Sequence, residues 1–314
     1  MVVSVIDIGT NTVLLLVAEV SSNGTLRSLA EEQRIPRLGR GVDAQKTLHT
    51  DAMRRVVDVL QEYAEIMKRY APDAVVVCGT SAVRDAHNRD ELATMIQKGT
   101  GFTLEVLSGD EEALWTYRGA ISGMPKMRHA TVVDIGGGST EVVVGASDTV
   151  IRRISLDIGS VRLTERLFRH DPPSHLELET AIELIEDQIS RMADYPFAGT
   201  ELVGVAGTAT TLAALAQGLT TFSTRAVSNY RLPRDVIEAQ FRTLRAMPSG
   251  MIAGLSSVME GRADIITAGI LIVREIMAHC GFQQMTVSER GVRYGLALRA
   301  HEASSGAARD SSRQ

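Results

Sequence analysis

The chain has 314 residues, 44% hydrophobic and 23% charged, with 27 glycines; this balance excludes a disordered, collagen-like or multi-spanning membrane protein and suits about two domains. Lys and Arg number 33 against 38 Asp and Glu, a formal net charge of −5, so the chain is no general nucleic-acid coat, and any polyanion it binds is held by a local basic patch. Two cysteines, Cys78 and Cys280, exclude a disulfide framework and a four-cysteine zinc site and fit inert thiols in a reducing cytosol.

Val2–Ile6 is a short apolar run ending at Asp7, followed by the turn Gly9-Thr10-Asn11 and a second apolar run, Val13–Val20; together they predict a β-hairpin. The same N-terminal stretch carries Asp7, Asn11 and Glu19 and lacks a basic leader and a small-residue cleavage site, so it reads as core and not as a targeting segment. Apolar residues at Met53, Val56, Val57, Leu60, Ala64 and Met67 predict an amphipathic helix over Asp51–Tyr70. Ala74–Cys78 predicts a buried strand, with a helix opening at Gly79-Thr80-Ser81, and a further helix runs from Glu111 to Ile121. Thr131–Val133 predicts a strand that ends at Asp134, followed by Gly136-Gly137-Gly138 and a strand over Glu141–Val144. Leu176–Met192 is helical, bracketed by Pro172-Pro173 and Pro196. Leu202–Ala206 is a strand, Gly207-Thr208 opens an Ala/Thr/Leu helix, and Asp264–His279 is a long apolar helix. Met285–Val287 is a strand leading to a closing helix from Val292, and residues 303–314, small and polar, read as a disordered tail. No stretch approaches the ~18 uninterrupted apolar residues of a membrane span.

An internal repeat organises these elements. Asp7-Ile8-Gly9 followed by Thr12 recurs 127 residues later as Asp134-Ile135-Gly136 followed by Ser139. Gly79-Thr80 recurs 128 residues later as Gly207-Thr208. Two patterns at nearly one offset imply two copies of one α/β unit, divided near Ser122–Arg128, with a cleft between the copies as the expected ligand site.

The glycine run after Asp134 lets backbone amides approach a ligand without Cβ interference and form an anion nest. Asp134 and Glu141 flank it, and carboxylates beside a phosphate nest suit a bridging hard cation such as Mg²⁺; a tight hairpin with a capping Asp is the plainer alternative. Asp7, Gly9, Thr10, Asn11 and Thr12 form the sister loop, whose hydroxyls and amide can donate to phosphate oxygens, or which serves as an ordinary polar turn. Gly79-Thr80-Ser81 and Gly207-Thr208 each open a helix after a strand, a place that favours anions or simple N-capping. Glu111 and Glu112 start a helix, where acidic residues complement the macrodipole. Arginines cluster at Arg34, Arg37 and Arg40, at Arg152 and Arg153, at Arg162, Arg166 and Arg169, and at Arg290 and Arg293; solvated faces account for most of these, and some suit a polyanion site. The seven histidines show no zinc-ligand spacing, and no GxSxG elbow, P-loop or GxGxxG fingerprint occurs.

The motifs DIGTNTVLLLV from Asp7, PRLGRGVD from Pro36, GTSAVRDAHN from Gly79, SGDEEA from Ser108, VVDIGGGSTEVVVG from Val132, DIGSVRLTERLF from Asp157, GVAGTATTLAAL from Gly204, GRADIITAG from Gly261 and SERGVRYG from Ser288 follow one another along nearly the whole chain. In that order they resemble the exopolyphosphatase / guanosine pentaphosphate phosphohydrolase (Ppx/GppA) family in its short two-domain form. The resemblance implies an α/β fold of duplicated actin-like (ribonuclease H-like) domains, of the actin–sugar kinase–heat-shock-chaperone superfold. Residues 1–124 would form the first domain and 125–302 the second, with a last helix that can pack back on the first. It implies hydrolysis of the terminal phosphoanhydride of inorganic polyphosphate. The alternatives are the 5′-γ-phosphate of guanosine pentaphosphate as substrate or, in another class, an actin-like ATP-binding kinase or assembly module. By resemblance Glu112 is the general base, Asp134 and Glu141 hold Mg²⁺, and Gly9–Thr12, Gly136–Ser139, Gly207 and Thr208 cradle phosphates, with Arg84 on the phosphate chain. The family also implies a cytoplasmic enzyme, compatible with a homodimer, without a nucleic-acid or membrane partner. The chain departs from the family pattern at Leu14, where many relatives carry Arg, at Arg40, where Glu is common, and at Ser288-Glu289-Arg290.

Overall fold

The computed structural model describes residues 1–124 and 129–311, with side chains to residue 305. The chain divides into two compact units: Met1–Ser122 with the segment from Gly291 onward, and Gly123–Arg290. Of the expected boundary at Ser122–Arg128, residues 125–128 lie outside the described residues.

In the first unit, β1 (Val2–Ile8), β2 (Val13–Val20) and β3 (Leu26–Arg34) form an antiparallel meander. After α1 (Val42–Gln45) and α2 (Thr50–Lys68) the chain adds β4 (Ala74–Gly79) parallel to β1. Then come α3 (Ser81–Asp85), α4 (Arg89–Thr100), β5 (Leu104–Val106), parallel to β4, and α5 (Gly109–Ser122). The sheet order is β3-β2-β1-β4-β5. β1 lies between two partners and is covered on both faces, so its sequence is almost continuously apolar.

The second unit repeats that scheme. β6 (His129–Ile135), β7 (Thr140–Ala146) and β8 (Thr149–Leu156) form the meander, followed by α6 (Ser160–Leu167) and α7 (His175–Ser190). β9 (Glu201–Val205) runs parallel to β6 and leads into α8 (Ala206–Ala216), then α9 (Thr224–Val227), β10 (Arg231–Pro233), α10 (Arg234–Leu244) and α11 (Ser249–Ala253). α12 (Ile266–Cys280) and β11 (Gln284–Val287), parallel to β9, complete it, in the order β10-β11-β9-β6-β7-β8. Reversed, this matches the first sheet strand for strand from β3 to β5, with β10 added at the edge. The repeat inferred from the two Asp-Ile-Gly loops is therefore a repeat of topology.

The closing helix α13 (Val292–Ser311) belongs to the first unit. It takes in positions 303–311, which the sequence places in a disordered tail; residues 312–314 lie outside the described residues. Alternation along β1 sends Ile6 and Ile8 to one face, against Met53, Val56, Leu60 and Tyr63 of α2, and Val3 and Val5 to the other. Tyr294, Leu296 and Ala297 of α13 cover that second face. Of the helix face predicted for α2, Tyr63 replaces Ala64 in the core and donates its hydroxyl to the Val13 carbonyl at 2.9 Å. α13 crosses α5 so closely that a Cβ on Gly295 would stand 1.9 Å from the Trp115 carbonyl oxygen, and one on Gly119 2.1 Å from that of Gly291. No helix among the described residues is long and apolar enough to cross a membrane.

Candidate functional site

In the first unit the chain leaves β1 at Ile8 and turns through Gly9–Thr12 into β2. The Gly9 amide donates to the Thr12 carbonyl at 2.9 Å and closes the turn. The segment after β3 grips the outer side of this loop: the Arg37 amide donates to the Asn11 carbonyl at 3.1 Å and the Gly39 amide to that of Thr10 at 2.8 Å. Gly39 is required here, because a Cβ would stand 2.3 Å from the Thr10 methyl carbon. Thr10 and Asn11 are buried. The Gly79-Thr80 turn sits beside the loop, since the Thr80 amide donates to the Ile8 carbonyl at 3.2 Å.

Glu112 lies in the first turn of α5, where its amide donates to the Ser108 carbonyl at 2.9 Å. The residue is only 8% exposed. Arg84, from α3, donates through Nη1 to Glu112 Oε2 at 2.8 Å and to the Leu107 carbonyl at 2.9 Å. Burial pushes the Glu112 pKa above its usual 4.5, and the Arg84 guanidinium opposes the rise. Arg84, which the resemblance places on a phosphate chain, is thus held on the expected base. Asp7 continues the Val3–Val5 face of β1 and carries an Oδ1 shielded from solvent with no hydrogen-bond partner among the described residues. Desolvation pushes its pKa up to about 7, with the Glu112 charge adding to the rise and Arg293 of α13 opposing it. Arg293 is itself fixed by a 2.8 Å bond to the Leu15 carbonyl and a 3.5 Å ion pair with Glu31.

In the second unit Asp134 and Glu141 are direct register partners across β6 and β7. Opposed residues of an antiparallel pair share a face, with Cβ atoms roughly 5 Å apart, so the hairpin brings the two carboxylates together. Glu141 is 1% exposed and accepts from Ser155 Oγ at 2.7 Å; Asp134 is the more accessible of the two. Between them the Gly136 amide donates to the Ser139 carbonyl at 3.0 Å, the same closure as at Gly9 and Thr12. Behind the loop, Ser160 N donates to the Gly136 carbonyl at 3.0 Å, and Val161 N and Arg162 N to that of Gly137 at 2.9 and 3.0 Å. Arg162 Nε donates to the Gly138 carbonyl at 2.5 Å. Gly207 and Thr208 occupy the first turn of α8, entered through Ala206 at φ 62°, a left-handed conformation of the kind that clusters at ligand sites. The Arg262 guanidinium lies against Gly207, where a Cβ would stand 1.6 Å from Nη1, and desolvation pulls its pKa down to about 10.

Among the described residues no group of three His, Cys, Asp or Glu forms a ready-made metal cage. The opposed Asp134 and Glu141 beside an amide-rich loop do fit Mg²⁺, which takes one or two carboxylates and completes its shell with phosphate oxygens and water. Each unit therefore groups its own expected residues: Glu112 with Arg84, and Asp134 with Glu141 around Gly136–Ser139. Three arginines outside the expected set join them, Arg162, Arg262 and Arg293, together with Asp7 of the sister loop, to which the sequence assigns no role of its own. The repeat was the signal for Asp7, because it equates that residue with Asp134. Arg162 and Arg293 carried no comparable mark, since an arginine in a basic cluster reads as solvated until its burial is seen, and Arg262 lies outside those clusters.

The chain is similar to known proteins along most of its length. The chain is 39% identical over 317 aligned residues to exopolyphosphatase 2 of Mycobacterium tuberculosis, covering 94% of this chain and 97% of that one. It is 28% identical to the guanosine-5′-triphosphate,3′-diphosphate pyrophosphatase of Pseudoalteromonas atlantica, over 93% of this chain and 57% of that longer protein. The crystal structure of the Aquifex aeolicus Ppx/GppA family member superimposes with a TM-score of 0.81 at 31% identity, covering 97% and 98% of the two chains. The sequence profile of the Ppx/GppA phosphatase family matches residues 16–303, and the chain belongs to that family.

Proposed function

We propose that this protein is an exopolyphosphatase, a Mg²⁺-dependent hydrolase that removes the terminal phosphate of inorganic polyphosphate. The observation that carries this reading is Glu112: a buried carboxylate with a raised pKa, held by one arginine, in a chain 39% identical to an exopolyphosphatase over 97% of that protein's length. Phosphoryl transfer requires little covalent help from a protein, so its residues mainly position reactants and neutralise charge. Glu112 orients a water molecule and takes one of its protons as the water oxygen bonds the terminal phosphorus. The bond from that phosphorus to the bridging oxygen breaks, leaving orthophosphate and a chain one phosphate shorter. Asp134 and Glu141 hold Mg²⁺, which when bound supplies charge neutralisation at the phosphate oxygens. The amides of Gly136–Ser139 and the polar atoms of Gly9–Thr12, with Gly207 and Thr208, hold phosphates, and Arg84 favours the ionised form of Glu112.

Guanosine pentaphosphate is the competing substrate, favoured by the pyrophosphatase relative. It ranks second because that relative is less similar and much longer. The assay is orthophosphate release from long-chain polyphosphate and from guanosine pentaphosphate, with and without Mg²⁺, by the wild type and Glu112→Gln. The expected result is Mg²⁺-dependent release from polyphosphate and a loss of ~10²–10⁴-fold in the variant at unchanged melting temperature. Release from the nucleotide alone selects the second reading. ATP binding without release from either selects an actin-like kinase or assembly module, and undiminished turnover by the variant removes Glu112 from its role.

A further inference from the structure

The loop at Gly136–Ser139 has its carbonyls fully engaged on one side. Those of Gly136, Gly137 and Gly138 accept from Ser160, Val161 and Arg162, and all of these donors come from the start of α6. A trans peptide is planar, so each carbonyl points opposite to the amide N–H of the following residue. Three carbonyls turned towards α6 therefore turn the amides of Gly137, Gly138 and Ser139 the other way. Among the described residues those three amides donate to no protein acceptor. Room for this arrangement depends on Gly159, where a Cβ would stand 2.5 Å from the Gly137 carbonyl oxygen.

The first unit builds the same device from backbone alone. Arg37 N and Gly39 N take the carbonyls of Asn11 and Thr10, and Gly39 makes room as Gly159 does. The difference lies at the third carbonyl of the second loop, which is taken by a side chain. Arg162 is 6% exposed, so a full positive charge is set behind the loop as well.

We propose that Arg162 is a positioning residue for phosphate binding: its guanidinium fixes the Gly138 peptide so that the loop amides, Ser139 N–H above all, face a substrate phosphate. This rests on the phosphate-hydrolase reading, and it is tested where the two can be told apart. Inorganic phosphate is titrated calorimetrically, with Mg²⁺ present, into the wild type, Arg162→Met and Arg162→Lys. The KM and kcat for polyphosphate and the melting temperature are measured on the same preparations. Arg162→Met is expected to weaken phosphate binding and raise KM at least tenfold, with a smaller change in kcat. Arg162→Lys restores the charge and one donor but not the fixed planar geometry, and is expected to fall between the two. Phosphate affinity and KM of Arg162→Met within twofold of wild type overturn the inference. So does a loss of binding matched by loss of folded protein and not relieved by lysine. If Arg162→Met does not fold, the lysine variant decides, and wild-type phosphate affinity in it overturns the inference. A wild type that binds phosphate through Arg162 but releases none from polyphosphate refutes the hydrolase reading and upholds this one. A wild type that binds no phosphate refutes the positioning role.

Discussion

Arg84→Met separates two roles for Arg84. In the first unit its guanidinium lies 2.8 Å from Glu112, whose side chain is 10% exposed against 23% for Arg84. A hydrogen bond to a charged group contributes roughly 1.5–3 kcal/mol. Losing it raises the Glu112 pKa further above its ordinary value, because the Arg84 guanidinium is what opposes the rise caused by burial. A general base must be deprotonated to act, so the acid limb of the kcat/KM profile for polyphosphate moves to higher pH. At a pH below the shifted limb, activity falls ~10–100-fold, and it recovers as pH rises. The assay is the pH profile of kcat/KM for wild type and variant, with folding checked by circular dichroism at each pH. A residue that only touches the phosphate chain gives a different result: KM rises at every pH and the acid limb stays in place. An unmoved limb refutes the claim that Arg84 sets the ionisation of Glu112.

The elevated Asp7 pKa, about 7 against an ordinary 3.8, means that the folded state holds this proton more tightly than the unfolded chain. Its contribution to stability is fully present below about pH 3.8 and is lost as pH rises to about 7; the shift corresponds to at most about 4 kcal/mol, and the residue's partial exposure lowers the expected figure to about 2 kcal/mol. Asp7→Asn should therefore gain stability relative to wild type between pH 5 and pH 8 in urea denaturation with chelator present, and a constant difference across that range contradicts it. Gly295→Ala places a methyl group 1.9 Å from the Trp115 carbonyl oxygen, so α13 and α5 must separate. Overpacking of this kind costs about 1–3 kcal/mol, read as a melting temperature several degrees lower, and an unchanged value refutes the close crossing.

The duplicated topology was legible because its marks are local. An apolar strand, an aspartate and a glycine turn lie within a dozen residues, and the pattern occurs twice. The edge strands β3 and β8 left no such mark. LRSLAEEQR and TVIRRISL each expose much of one face, which removes the apolar run that identifies a buried strand. Asp134 and Glu141 could be paired from sequence, since a tight hairpin fixes which residues oppose. The bond between Arg84 and Glu112 could not, because 28 residues separate them and only the pairing of β4 with β5, from whose ends the two helices start, brings them together. Glu112 itself shows the limit of composition: an acidic residue in a first helical turn is ordinary until burial shows that this one is held out of water. Arg162 is the converse, a member of a basic cluster that the fold turns inward to a backbone carbonyl.

The place of α13 bears on how the protein is made. Arg293 bonds a carbonyl 278 residues earlier, and Tyr294 bonds Glu31 across 263 residues. At about 5–20 residues per second, the β1–β5 sheet leaves the ribosome roughly 10–40 s before the helix that covers its Val3, Val5 and Leu16 face. The second unit, contiguous in sequence, is complete before that helix emerges. The nascent first unit therefore waits with a bare apolar surface, and during that interval the surface is a point of entry for aggregation.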